Sequence, residues 1–152
     1  MLTLRVATLE DAGEVARLHR LSRRTAMPWL LDPHTPQEDL AFFREEVLAS
    51  QRVVLAVLDQ QLAGFAASGQ DWLHHLYVHP HRQGCGVGFA LLEDARRSGS
   101  VLRLWAFQRN LRARAFYERA GFSVVRMTDG SGNEEQEPDV LYLWRRAGAT
   151  EN

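Results

Sequence analysis

The stretch Leu76-Tyr77-Val78-His79-Pro80-His81-Arg82-Gln83-Gly84-Cys85-Gly86-Val87-Gly88-Phe89-Ala90-Leu91-Leu92 joins an apolar run to a helical one through alternating glycines. Residues 72–78 read as a strand ended by His79-Pro80, and Phe89, Leu91, Leu92 and Ala95 stand at helical spacing. Glycines at 84, 86 and 88 let successive backbone N–H groups converge without a Cβ in the way. The helix behind them adds the positive end of its dipole. Such a loop is either a tight strand-to-helix turn or a cradle for a pyrophosphate. Two common phosphate loops are excluded. No Gly-Lys-Ser/Thr follows, as a nucleotide P-loop requires. A dinucleotide fingerprint spaces its glycines Gly-x-Gly-x-x-Gly and has an acidic residue about twenty positions on, where this chain has Trp105-Ala106-Phe107.

Working outward, residues 2–6 alternate as a strand. Thr8 with Asp11 forms a capping box that opens a helix with Val15, Leu18 and Leu21 on one face. An apolar loop, Met27-Pro28-Trp29-Leu30-Leu31, leads to a second box, Thr35-Pro36-Gln37-Glu38, with proline at the first helical position. The helix behind it carries Leu40, Phe43 and Val47. Residues 52–58 and 62–67 read as strands about a turn at Asp59-Gln60-Gln61. Beyond the glycine loop come a strand at 101–107, a helix at 110–120 stopped by Gly121, and strands at 122–127 and 140–144. Between these last two lies a polar loop, 128–139. The order predicts a mixed α/β sheet in one domain, residues 1–148, with a disordered tail at 149–152.

The chain has 152 residues, 45% hydrophobic and 24% charged, enough for one continuous core. A formal net charge of −1 argues against the basic field of a general nucleic-acid binder. No apolar run spans a bilayer, and the first residues lack the basic-then-apolar layout of a secretory signal, so a cytoplasmic protein is expected. The one cysteine, Cys85, cannot form an internal disulfide. No His/Cys cluster has metal spacing, so no metal is implied.

A second signature follows the glycine loop: Asn110-x-x-Ala113-x-x-Phe116-Tyr117-Glu118-Arg119-x-Gly121-Phe122. Together, Leu76-Tyr77-Val78-His79-Pro80, Gln83-x-x-Gly86-x-Gly88, Ala90-Leu91-Leu92 and this helix resemble the GNAT superfamily of N-acetyltransferases across residues 72–125. The resemblance implies a mostly antiparallel sheet of six or seven strands with about four helices and splayed central strands. It also implies acetyl-CoA as co-substrate. In that family the strand at Leu76, Tyr77 and Val78 pairs with the pantetheine arm, and an amide near Val78 faces the thioester carbonyl as an oxyanion donor. Amides of Gln83, Gly84, Cys85, Gly86, Val87 and Gly88 would hold the pyrophosphate, Cys85 through its N–H and not its thiol. Asn110 reads as a helix N-cap, and the resemblance adds a hydrogen bond to the cofactor arm. Phe116 would wall the pantetheine, Tyr117 would protonate the departing thiolate as general acid, and Arg119 would approach a CoA phosphate.

Acetyl transfer needs a neutral amine, and an alkyl amine is mostly protonated at neutral pH. A general base would help. Alternation places Trp72, His74 and Leu76 on one face and Leu73, His75 and Tyr77 on the other, so His74 or His75 is a candidate. The loop carboxylates Asp129, Glu134, Glu135, Glu137 and Asp139 are the other source, Glu134 first. They read either as a solvated hairpin connection or as a lip that draws in a cationic acceptor, with Glu134 and Glu135 binding it. Trp29 either lines the acceptor pocket or seals the core. The function expected is transfer of acetyl to a primary amine on a small molecule, peptide or protein. The alternative is a non-catalytic acyl-CoA-binding sensor. The resemblance also suggests a homodimer paired through the final strands.

Overall fold

The computed structural model describes residues 1–148; the tail expected at 149–152 lies outside the described residues. Seven strands join one sheet in the order β1-β2-β3-β4-β5-β7-β6. They are β1 Leu2–Val6, β2 Arg52–Leu58, β3 Gln61–Gly69, β4 Trp72–Val78, β5 Val101–Phe107, β6 Ser123–Met127 and β7 Asp139–Arg145. Every pairing is antiparallel except β4 with β5. That parallel pair meets at one register position, Trp72 opposite Arg103, beyond which the strands part. The expected splay and strand count are therefore present.

Four helices flank the sheet. Helix α1, Ala12–Ala26, follows a short 3-10 turn at Leu9–Asp11 on the predicted Thr8–Asp11 box. Helix α2 starts at Pro36–Phe42 on the Thr35–Glu38 box, widens into a π turn at Phe43–Val47, and ends at Leu48–Ser50. Helix α3 is Val87–Arg96 and helix α4 is Leu111–Arg119. Among the described residues no helix is long and apolar enough to cross a membrane.

Strand alternation divides the core. Val53, Leu55 and Phe65 face α1 and α2, where Val15, Leu18, Phe43 and Val47 are buried. Val54, Ala56 and Ala66 face α3 and α4, with Leu91, Leu92, Leu104 and Tyr142. Two expected faces shift. Helix α1 buries Val15, Leu18, His19 and Ser22, the i, i+3, i+4, i+7 stripe, and leaves Leu21 exposed because three-residue steps drift off a 3.6-residue turn. Phe89 of α3 is exposed, since it stands two residues, more than half a turn, from the buried Val87 and Leu91.

Both hairpins ahead of the glycine loop turn on two residues of positive φ, Asp59-Gln60 and Gln70-Asp71, so Gln61 already belongs to β3. Such turns match the strand twist and usually hold Asn or Gly, which explains why the second is faint in the sequence. In β4 the register slips opposite Ala67/Ser68, so His74 has no partner on β3. This bulge breaks the predicted alternation: Leu73 joins the α3/α4 core with Leu76, while His75 and Tyr77 face α1 and α2.

Candidate active site

The parting of β4 from β5 opens a cleft of about 340 Å³. On the β3 side, the His79 N–H donates to the Ala63 carbonyl at 2.7 Å. Alternation in an antiparallel ladder then turns the N–H and C=O of Leu76 and Val78 away from β3, toward the side that β5 has left. Strand β4 thus enters the cleft with Leu76, Tyr77 and Val78.

The glycine loop closes one end. Gly84 and Gly86 both sit at φ +81°, and a Cβ on either would meet no protein atom within 4 Å. Gly86 caps α3 without any side-chain bond, and the first helical bond in that turn runs from Ala90 N–H to the Gly86 carbonyl. The amides before Ala90 have no helical partner, which is the arrangement by which a helix N-terminus can receive an anion. Gln83, Gly84, Gly86, Val87 and Gly88 line the cleft, whereas Cys85 is exposed and does not.

Helix α4 forms the opposite wall with Asn110, Phe116, Tyr117 and Arg119. Asn110 caps it as predicted, its side-chain oxygen accepting from the Ala113 N–H at 3.2 Å. Tyr117 is buried among Phe116, Phe122 and Tyr142, with ring centroids 5.2, 5.5 and 6.3 Å away. Burial pushes its phenol well above the ordinary range, and the nearby Tyr77 adds to that, so it keeps its proton at neutral pH. Arg82 and Arg112 add positive charge beside Arg119.

Ser22, Ala26 and Met27 complete the lining from the α1 side. Met27, the first residue of the apolar loop, is buried against this cleft. Ser22 gave no signal in the sequence beyond its helical position. Its hydroxyl donates to the Val78 carbonyl at 3.0 Å, across 56 residues of chain.

Neither histidine proposed as base lines the cleft. His74, on the bulge, is exposed and stacks on Trp72 at 6.4 Å. His75 packs among His19, Phe42, Phe43, Phe65 and Tyr77. Burial first, and then the neighbouring His19, lower its pKa to about 3. His19 falls to about 4, also chiefly by burial. His19 Nδ1 and Arg23 Nε, one turn apart on α1, are buried without hydrogen-bond partners.

The loop 128–139 is tied to the rest of the chain at each of its glutamates. Glu134 pairs with His34 at 2.6 Å, Glu135 with Arg23 at 2.5 Å, and Glu137 with Arg109 through two bonds of 2.9 Å. Asp139 accepts from Thr128 and Asn133, and Asp129 from the Ser131 N–H. Trp29 joins this framework: the Arg109 guanidinium lies 4.1 Å over its ring, and the ring meets Phe107 at 90°.

A second cavity, about 660 Å³, opens under the loop. Trp105 and Phe107 of β5, Arg126 of β6, and Glu135 and Asp139 line it. Of the expected acceptor-binding residues, Glu135 is in this lining; Glu134 and Trp29 stand outside it. Glu135, paired with Arg23, lines the second cavity, and Ser22, next to Arg23 in α1, lines the first.

Comparison with known proteins agrees with this geometry. Residues 49–124 match the acetyltransferase (GNAT) domain. The chain is 27% identical over 151 residues to an uncharacterized N-acetyltransferase of Archaeoglobus fulgidus, covering 88% of this chain and all of that one. Its fold resembles the apo-form solution structure of YjaB from Escherichia coli, with a TM-score of 0.79 at 22% identity over 97% of this chain and 99% of that one. It also resembles the PaiA N-acetyltransferase of Thermoplasma acidophilum in complex with coenzyme A, with a TM-score of 0.76 at 20% identity over 95% and 99%.

Proposed function

Because this chain belongs to the GNAT acetyltransferase family and is an N-acetyltransferase, we propose that it binds acetyl-CoA between β4 and α4 and moves the acetyl group to a primary amine. The observation that carries this reading is the parting of β4 and β5 after one register position, with Tyr117 lining the resulting gap. The pantetheine arm pairs with the backbone of Leu76 and Val78 on the side that β5 has vacated. The pyrophosphate rests on the amides of 83–88, and Arg82, Arg112 and Arg119 meet the remaining phosphate charge.

In the reaction, the neutral amine attacks the thioester carbon and a C–N bond forms. Charge on the carbonyl oxygen is met by the Val78 N–H. The C–S bond then breaks, Tyr117 gives its proton to the departing sulfur, and the nitrogen loses its own. Asn110 and Phe116 hold the arm in line.

The acceptor enters through the second cavity. Trp105 and Phe107 give it an aromatic floor, and Glu135, fixed by Arg23, is the carboxylate placed to meet an ammonium group. The amine proton leaves on this side, toward Glu135 and solvent, because β4 puts no histidine in the cleft. Glu134 and Trp29 act at one remove, by holding the loop over the cavity. Strand β6, an edge with all five residues exposed, is where a second copy would pair.

The test has two readouts. Acetyl-CoA raises the melting temperature by binding the native state. Tyr117→Phe keeps that shift and lowers the single-turnover rate of acetyl transfer by roughly 10²–10⁴-fold. No shift with saturating acetyl-CoA removes the cofactor assignment; a shift with undiminished turnover removes Tyr117 as the acid.

A further inference from the structure

We propose that Ser22 is a positioning residue for acetyl transfer, fixing the Val78 peptide so that its N–H faces the reacting carbonyl. The inference rests on the placement of the thioester at Val78 given above.

At the end of β4 the backbone has support on one side only. His79 donates to Ala63, and Gly64 stands opposite Val78, so β3 holds that side. On the other side β5 last meets β4 at Trp72, six residues earlier. The Val78 C=O therefore points into a gap where a regular sheet would give it a strand partner. A carbonyl left unpaired in such a place costs free energy or turns to find a donor.

Ser22 is that donor. It is 5% exposed on the buried stripe of α1 and lines the cleft, and its hydroxyl reaches the Val78 oxygen at 3.0 Å. Two things follow from this one bond. It pins the last residue of β4 to a long helix, so the strand end keeps its direction without β5. It also occupies the carbonyl of Val78 and leaves the N–H of the same residue free for the ligand. With its proton committed to Val78, the hydroxyl presents only lone pairs to the cleft, which disfavours a thioester oxygen at Ser22 and favours the Val78 amide.

A packing role and a hydrogen-bonding role predict opposite orders for two variants. Cysteine keeps the size of serine but is a weak donor, whereas threonine adds a methyl and keeps the hydroxyl. Ser22→Cys and Ser22→Ala should lower the single-turnover rate roughly tenfold, the effect of losing one hydrogen bond to the transition state. Both should leave acetyl-CoA affinity close to wild type and lower the melting temperature only by the few degrees that one unpaired carbonyl costs. Ser22→Thr should restore most of the rate. The proposal is overturned if Ser22→Cys is as fast as wild type, or if the rate falls only in step with acetyl-CoA affinity and melting temperature. Wild-type protein that shows no acetyl-CoA shift would remove the underlying reading, and this one with it.

Discussion

The glycine loop and the 128–139 loop are both polar connections beside the cleft, and they treat their polar groups in opposite ways. In the first, backbone amides stand without partners, and Gly84 and Gly86 face open space. In the second, each glutamate has found a basic side chain of the same chain, and Gly130 is enclosed: a Cβ there would lie 2.3 Å from the Glu137 carbonyl carbon. One loop leaves its donors unpaired. The other uses its charges to hold a shape, and only Glu135 combines such a tie with a place in a cavity wall. Polarity alone therefore says little about binding; what matters is whether the groups are already satisfied.

Acid is the strongest way to break this comparison, because it neutralises carboxylates and leaves amides alone. A more drastic loss starts higher on the pH scale, in the histidine cluster beneath β4. His19 and His75 have folded pKa values of about 4 and about 3, below their ordinary 6.5. The unfolded chain therefore binds more protons as pH falls through 6.5. Their full contribution to stability is present above that value and declines toward pH 3, a change on the order of several kcal/mol. Urea midpoints should drop steeply between about pH 7 and pH 5, and His75→Phe should flatten the slope. A flat wild-type profile would contradict the burial of these rings. The two loops are best compared above pH 6.5 for this reason.

A matched pair of alanines sharpens the comparison. Both glycines have positive φ, so each substitution carries a backbone cost of about 1–2 kcal/mol. Gly130→Ala adds a collision with the Glu137 backbone and should lose about 3 kcal/mol or more in denaturant unfolding. Gly86→Ala should lose only the backbone cost, yet weaken acetyl-CoA binding, because its methyl enters the space kept for phosphate. Equal destabilisation with unchanged acetyl-CoA affinity would erase the distinction.

The smallest effect is expected at Glu135. Glu135→Gln removes one carboxylate from the second cavity and releases Arg23. The acceptor KM should rise several-fold and lose part of its salt dependence, while the acetyl-CoA constant stays fixed. An unchanged acceptor KM would assign the loop to structure alone.

Much of the first loop was legible in the sequence and little of the second was. Glycines at 84 and 86 and the Asn110 cap each answer a local demand of backbone or helix, and such demands leave marks at short spacing, whereas Tyr117 stood out only through the resemblance of its helix to the family. The ties of the 128–139 loop join residues far apart, as Glu135 is from Arg23 and Glu134 from His34, and no periodicity encodes them. The acidic run was visible, but its neutralisation was not. The bulge at His74 escaped for a related reason: it depends on how β3 accommodates β4, while the pattern of β4 alone suggests unbroken alternation. Ser22 was hidden because a serine on a helix is commonplace until the strand beneath it is known to lack a neighbour.

The single register position between β4 and β5 has a mechanical meaning. On either side of it the sheet is a continuous ladder, β1 to β4 and β5 to β6, so the seam is the line of the sheet with the fewest rungs. Open strand edges normally invite other chains, and this fold carries that of β4 indoors, walled by α1 and α4. Any molecule that lies along β4 in the gap acts as a guest strand. It adds rungs where the protein has none, and stiffens the seam that joins the two halves.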